Sequence, residues 1–384
     1  MHKKKILLIA TGGTIASRQT AQGLAPGLSA AELLREIPEA AGFCEIETAS
    51  PFLLDSTNIT PAHWLDLAAC IEQRYQEYDG FVVCHGTDTL AYTAAALSYL
   101  IQRSPKPVVI TGAQRPISWE ETDARMNLLD SLRCACGEFA AGPGGEGFGP
   151  VRASRASRAS RASRASRASR ASWASWASWG VCVVFGGRVI AGTRARKLRT
   201  KSYDAFSSIG FPDLARIQDG RVIPYIPPAC VQGGSSCGPL FYRKLDPGVM
   251  VLKLTPGMPA AILEHAGRCC DTLVLQGYGS GGLPQLYREA FQALVRQGKT
   301  VVMATQAPQE GSDLARYEVG HRLKKEHGLL ECYDLTLEAT VAKLMWARAR
   351  AETPEQLRAL FYRPVALDML LAPHIKNTAP LSGR

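Results

Sequence analysis

Short apolar runs recur through the first half of this chain, each stopping at a polar cluster and followed by a helix-patterned segment. Residues 6–10 are the first such run. It is too short for a helix and too continuous for a half-exposed strand, which predicts a strand buried on both faces. Runs at 52–54, 81–84 and 107–111 repeat the pattern, and a further strand is expected over 45–49. The polar clusters that follow are Asp55-Ser56-Thr57-Asn58, His85-Gly86-Thr87-Asp88-Thr89 and Gly112-Ala113-Gln114. Between them, Ser29 and Glu32 form a capping-box pattern that opens a helix over 31–37, stopped by Pro38. Thr60 and Pro61 start another running to about residue 78. An Ala/Leu-rich segment to residue 102 and a segment over 123–136 complete the helices. Strand, polar loop and helix in that order imply a parallel sheet with helices on both faces.

The second half begins with 181–185 and 188–191 flanking Gly186-Gly187, a strand pair around a tight turn. Residues 209–248 are rich in Pro and Gly and are expected to be a linker. A further α/β series follows, with strands over 249–254, 272–276 and 300–305 and helices reaching 265 and over 286–296, 337–350 and 354–361. The expected fold class is therefore α/β with two domains. A larger N-terminal domain, a mainly parallel sheet flanked by helices, spans 1–210. A linker covers 211–248, and a smaller C-terminal α/β domain spans 249–384. The polar, Gly-containing stretch 18–28 is expected to be a mobile lid over the end of the first strand.

Residues 142–180 interrupt this order. Arg-Ala-Ser repeats seven times and gives way to Ser-Trp-Ala repeats. A three-residue period matches neither helix nor strand and offers no stripe to bury, so the segment is expected to be a disordered insertion in a surface loop. The repeat also changes the meaning of the charge. The chain's formal net charge is +10, and seven arginines, from Arg152 to Arg170, lie in the repeat. Ten minus seven leaves +3, so basicity does not point to nucleic acid, and no Phe or Tyr is interleaved with the arginines for base stacking. Eleven scattered cysteines with no CxxC pair exclude ordinary zinc spacing and fit reduced thiols in a cytoplasm. Lys3-Lys4-Lys5 precedes too short an apolar run for a signal peptide, and no run approaches the ~20 apolar residues of a membrane span.

Candidate chemistry gathers at two strand ends. Thr11-Gly12-Gly13-Thr14 ends the first strand with two glycines that leave the backbone bare. Thr87 follows another strand in the same way, and ligands of open α/β sheets bind at such carboxyl ends. Two hydroxyls facing one site are the result. Simpler roles stand beside this one. A Gly-Gly-Thr turn can cradle phosphate, although the P-loop lysine is missing. His85 is expected to be a structural hydrogen-bonder, Gln114 and Asn127 loop braces, and Lys197, in a basic stretch, would ordinarily be a solvated charge.

Together, TGGTIAS and HGTDTLAYT resemble the bacterial-type L-asparaginases of the cytoplasmic type I branch. DSTN between them extends the likeness, as do TGAQRP, GTRARK, QGYGSGG and TLEATVAKL after them. The likeness covers the chain except 142–180. It implies an amidohydrolase that converts L-asparagine and water to L-aspartate and ammonia, without metal or cofactor. It also implies a homodimer or homotetramer whose site a neighbouring subunit borders. By the same resemblance the catalytic set is Thr14, as nucleophile, with Thr87, Asp88 and Lys197. Asp88 also holds the substrate ammonium, Ser56 and Thr57 hold its carboxylate, and a backbone N–H near Thr87, with Gly13 and Gly86, lines the oxyanion position. Leu24 stands where many relatives carry a lid tyrosine, which leaves open whether Thr87 attacks instead of Thr14. The alternatives are a broad glutaminase, an amidotransferase-type glutaminase subunit, and a catalytically silent binder of aspartate-like ligands. The amidotransferase subunit usually carries an extra N-terminal barrel, for which the position of Thr11 leaves no room. Excision of 142–179 is expected to leave activity and melting temperature nearly unchanged; loss of soluble protein would contradict it.

Overall fold

The structure is a computed structural model, and it describes residues 3–21, 23–137, 178–228, 238–316 and 329–371. Most of the repeat expected to be disordered thus lies outside the described residues. The larger sheet holds β1 (Lys4–Ala10), β2 (Cys44–Ala49), β3 (Gly80–Cys84), β4 (Val108–Thr111), β5 (Val181–Phe185), β6 (Arg188–Ala191), β7 (Ala215–Gln218) and β8 (Arg221–Pro224). Their order is β8-β7-β6-β5-β4-β3-β1-β2. The five strands from β2 to β5 are mutually parallel, and β6, β7 and β8 continue antiparallel. The smaller sheet is all parallel: β9 (Val249–Lys253), β10 (Thr272–Gly277), β11 (Thr300–Thr305) and the two-residue β12 (Leu330–Glu331).

Eight α-helices lie among the described residues: α1 (Ala30–Arg35), α2 (Pro61–Gln73), α3 (Leu90–Leu100), α4 (Ala124–Cys136), α5 (Ala261–Cys269), α6 (Arg288–Arg296), α7 (Leu337–Arg348) and α8 (Pro354–Tyr362). The capping box expected at Ser29 and Glu32 is present, with Ser29 Oγ accepting from the Glu32 N–H and the Glu32 carboxylate accepting from the Ser29 N–H. Helices α3 and α7 are buried on nearly every side, so neither has a polar face turned to water. They pack against each other, one from each domain. The core on that side of the large sheet runs on without a break through Trp346 and Phe361 to Val274 and Val302 of the small sheet. Separate cores fill the outer faces of the two sheets.

Three expectations change. The lid at 18–28 contains an antiparallel hairpin, Ser17–Thr20 with Gly23–Pro26, whose register pairs Gln19 with Leu24. Alternation of polar and apolar residues was too weak there to announce strands. The expected linker contributes β7 and β8, so the large sheet continues past residue 210. Pro212 lies before β7, and Pro224 takes the last place of the edge strand β8, positions a sheet tolerates. Trp179, grouped with the repeat, belongs to the core: it is 3% exposed, and its indole N–H donates to the Ile226 carbonyl at 2.7 Å. Beyond it, Gly186 and Gly187, with φ of 57° and 71°, make the tight β5–β6 turn in the left-handed conformation that suits a two-residue hairpin.

The boundary of any dispensable segment therefore falls before Ser178. Removing 142–177 is expected to leave the denaturation midpoint close to that of the full chain, whereas Trp179→Ala costs about 3–5 kcal/mol in chemical denaturation, as for other buried aromatic truncations.

Candidate active site

The ends of β1 and β3 meet because two glycines remove what would hold them apart. Thr11 is tied across to β3, its N–H and its hydroxyl both donating to the Cys84 carbonyl at 3.0 Å. On its other side the loop bonds to the chain before the Asp55 cluster, Leu54 N–H to Thr11 O at 2.8 Å and Gly13 N–H to Leu54 O at 3.0 Å. Gly12 and Gly13 have φ of 102° and 76°. A Cβ on Gly13 would lie 2.2 Å from the Gly86 Cα, and one on Gly86 would lie 2.6 Å from the Ser56 hydroxyl oxygen. No side chain fits in this contact. The loops bearing Thr14, Ser56 and Thr87 are thereby held backbone to backbone.

Thr14 opens a single 3-10 turn, Thr14–Ala16, which Ser17 fastens by donating to the Gly13 carbonyl at 2.9 Å. The Thr14 hydroxyl, partly exposed, has no hydrogen-bond partner among the described residues. Thr87 is placed differently. Its buried hydroxyl accepts from Lys197 Nζ at 2.7 Å and lies 3.4 Å from Gln114 Oε1. The same ammonium donates to Asp88 Oδ1 at 2.6 Å. Thr87, Asp88 and Lys197 therefore form one connected set, although Lys197 is 109 residues from Asp88 in sequence. Its side chain is 17% exposed, which excludes the ordinary solvated lysine.

The hairpin Ala195–Lys197 with Phe206–Ser208 carries that lysine, and it was not foreseen from the sequence. Gln114 links the hairpin's loop to the site, its side-chain amide donating to the Ser202 carbonyl at 3.2 Å. Gln114 is itself held by Asp123, whose carboxylate accepts from the N–H groups of Gln114 and Arg115 and from Asn127. Burial pushes the Asp123 carboxyl up, and these donors oppose that shift. Asn127 also donates to the Gly112 carbonyl at 3.0 Å and accepts from the Gly186 N–H at 3.0 Å, so both expected braces act as such. Asp123 and Ser202 are members of this scaffold that sequence reading passed over. Asp123 stands at the N-cap position of α4, but nothing in its spacing announces the loop amides it receives.

Two expected ligand groups are already engaged. The Gly13 N–H is spent on Leu54, so it offers no hydrogen to an oxyanion. By contrast, the N–H groups of Gly86, Thr87 and Asp88 have no acceptor among the described residues. The Thr57 hydroxyl and N–H both donate to Asp55 Oδ1, at 2.8 and 2.9 Å, which leaves the side chain no hydrogen for a carboxylate. Ser56 is buried against Gly86 with its hydroxyl unused among the described residues, and the Ser56 carbonyl accepts from Thr89 at 2.7 Å. Asp88 is half exposed, with only Oδ1 engaged among the described residues.

His85 is structural. It is wholly buried, with Nδ1 2.7 Å from the Gly86 carbonyl and Nε2 2.9 Å from the Thr93 hydroxyl, which accepts from the Trp64 indole at 3.0 Å. A carbonyl requires a donor, so Nδ1 carries the proton and Nε2 accepts. Burial lowers the His85 pKa to about 4, so the ring is neutral at pH 7. No group of three or more candidate metal ligands occurs among the described residues.

The family model described as "Asparaginase, N-terminal" matches residues 5–175 and 151–229, and "Glutaminase/Asparaginase C-terminal domain" matches 248–361. An L-asparaginase of Thermococcus kodakarensis is 36% identical over 369 residues, 94% of this chain and 98% of that protein. A glutamyl-tRNA(Gln) amidotransferase subunit of Pyrococcus horikoshii is 29% identical over 94% of this chain and 75% of its own length. The crystal structure of L-asparaginase I from Vibrio cholerae superposes with a TM-score of 0.77 at 25% identity, covering 96% of this chain and all of that one.

Because its neutral ring is fixed by burial, His85 makes stability depend on acid. The unfolded ring binds a proton near pH 6.5 and the folded ring only near 4. The unfolded state therefore takes up more protons between these values, and stability is lost as pH falls through that window, by roughly 3 kcal/mol in all. His85→Gln is expected to flatten this part of the profile in urea titrations from pH 7 to 4.5; an unchanged slope would remove His85 as the cause.

Proposed function

Since the chain belongs to the asparaginase family, matched by both of that family's domain models, we propose that it hydrolyses L-asparagine to L-aspartate and ammonia. The contact that carries this reading is the bridge from Lys197 to Thr87 and Asp88, at 2.7 and 2.6 Å, beside the closed approach of Gly13 and Gly86. Thr14 attacks the side-chain amide carbon, the C–N bond breaks, and ammonia leaves. An ester on Thr14 remains, which water hydrolyses to release aspartate. What supports Thr14 in this role is a hydroxyl with no competing bond among the described residues, on the turn with the barest approach. Thr87, Lys197 and Asp88 handle the proton. For Lys197 to accept one it first passes its own to Asp88, whose Oδ1 lies 2.6 Å from the ammonium.

The N–H groups of Gly86, Thr87 and Asp88, without an acceptor among the described residues, supply the donors that the developing oxyanion requires. Asp88 takes the substrate ammonium through its free oxygen, and Ser56 takes the carboxylate. Thr57 joins Ser56 only after releasing Asp55. No metal or cofactor enters the reaction. Seven of the nine described cysteines are buried, which supports a reducing, cytoplasmic setting. We assign a homodimer or homotetramer, with no nucleic-acid or membrane partner. The exposed Leu198 and Tyr203, on the loop that follows Lys197, support a bordering subunit.

Ammonia release from asparagine and glutamine tests the assignment. Asparagine is expected to be the better substrate, with Lys197→Met lowering kcat about 10²–10⁴-fold, the usual worth of a positioned proton-transfer group. Mass spectrometry of trapped acyl-enzyme is expected to find the label on Thr14. Label on Thr87 alone moves the nucleophile there, equal rates on glutamine favour the broad glutaminase, and no turnover of either amide leaves the silent binder.

A further inference from the structure

Lys197 reaches the site from outside the N-terminal strand ends, and its hairpin is anchored from the other domain. The root of that hairpin is Arg194, whose carbonyl accepts from the Ile209 N–H at 2.9 Å. Arg194 is fully buried, and apart from a 3.4 Å bond from one terminal nitrogen to the Ile209 carbonyl its guanidinium is directed to the C-terminal domain. Nε donates to the Leu367 carbonyl at 2.6 Å, one terminal nitrogen to the Asp334 carbonyl at 2.8 Å, and the other to Asp334 Oδ2 at 2.8 Å. Asp334 in turn accepts from the N–H groups of Leu370 and Leu371 at 3.0–3.1 Å. The neighbouring residue repeats the attachment: Thr193 donates to the Ala366 carbonyl at 2.7 Å, and its own carbonyl accepts from Thr336, the N-cap of α7, at 3.0 Å.

The segment receiving these bonds is held in a costly conformation. Ala366 and Leu367, consecutive non-glycine residues, have φ of 48° and 64°, a region L-residues occupy only under constraint. A second buried pair supplies that constraint from the other end. Lys343 and Asp368 are both fully buried, 2.6 Å apart. Tyr99 of α3 donates to Asp368 at 2.9 Å, and Lys343 donates to the Arg363 carbonyl at 2.8 Å. A charged buried pair is seldom worth more than an apolar replacement for stability alone, and its best-attested use is to fix one geometry.

We propose that Arg194 and Asp334 are positioning residues for Lys197, holding the hairpin root against residues 366–371 so that the ammonium reaches Thr87 and Asp88 together. This rests on the catalytic reading of Lys197 above. Lys197 lies three residues, about 10 Å of extended chain, from the anchor, so a tilt of about 6° at the root shifts it by roughly 1 Å. A misplacement of that size is enough to cost about 10²-fold in rate.

The test compares Arg194→Lys and the isosteric Asp334→Asn, each alone and combined with Lys197→Met, in the full-length protein. Expected for each single variant is a kcat for asparagine at least tenfold lower, with KM and the Kd of L-aspartate within twofold of the parent. In the Lys197→Met background the same change is expected to have no further effect, because the residue it positions is gone. Parental kcat in the single variants, a parallel loss of kcat and aspartate binding, or an additive loss with Lys197→Met would overturn the proposal. Should Arg194→Lys not fold, Asp334→Asn, which keeps an acceptor oxygen for Leu370 and Leu371, decides alone. If Lys197→Met itself keeps full activity, the catalytic reading fails first, and that result is read independently.

Discussion

The site depends on an absence of atoms. Gly13 and Gly86 touch where any side chain would force the loops apart, and Ser56 closes on Gly86 from the third side. Thr14, Ser56 and Thr87 are each carried on a loop fixed by that contact. The strands beneath supply the alignment, since β1 lies between β2 and β3 in parallel register and presents its carboxyl end beside theirs. Parallel strands with continuous apolar sequence are buried on both faces, which gives the loops a rigid base. Hydrogen bonds from Thr11 to Cys84 and from Leu54 to Thr11 then draw the three loop starts together through the backbone, independently of any functional side chain.

Polarity at the site follows from what each group has left to offer. Thr57 has given both its hydrogens to Asp55, and Gly13 has given its own to Leu54. Thr87 is charge-assisted by Lys197, whereas the Thr14 hydroxyl has no partner among the described residues. The two threonines of similar sequence setting are therefore not equivalent in chemistry. His85, between them in position, is removed from acid–base duty by complete burial and by fixed partners on both nitrogens.

Much of this was legible in the chain because parallel-sheet strands and their terminal loops carry local signals: short apolar runs, Gly-Gly and His-Gly-Thr punctuation, and the caps at Ser29 and Thr60. The parts that were not legible depend on distant partners. The strands over 215–218 and 221–224 are short, and their Pro-rich surroundings read as linker. Their stability comes from pairing, β7 with β6 and β8 with β7, which no local pattern encodes. Trp179 follows a low-complexity repeat whose composition concealed a core residue. Lys197 sits among Arg194, Arg196 and Arg199, so composition marks a basic surface. In fact Arg194 is entirely buried, and Lys197 points into the site. Resemblance, not spacing, was what singled that lysine out.

The uninterrupted apolar layer shared by α3 and α7 has a bearing on heredity as well as on mechanics. Two family models divide the chain near residues 229–248, yet a protein cut there would leave each piece with the naked side of a helix built only for contact with the other. Each half would carry into water an apolar face that the other covers, so the two are expected to be inherited as a pair. Divergence in one helix must be answered in its neighbour before it is tolerated.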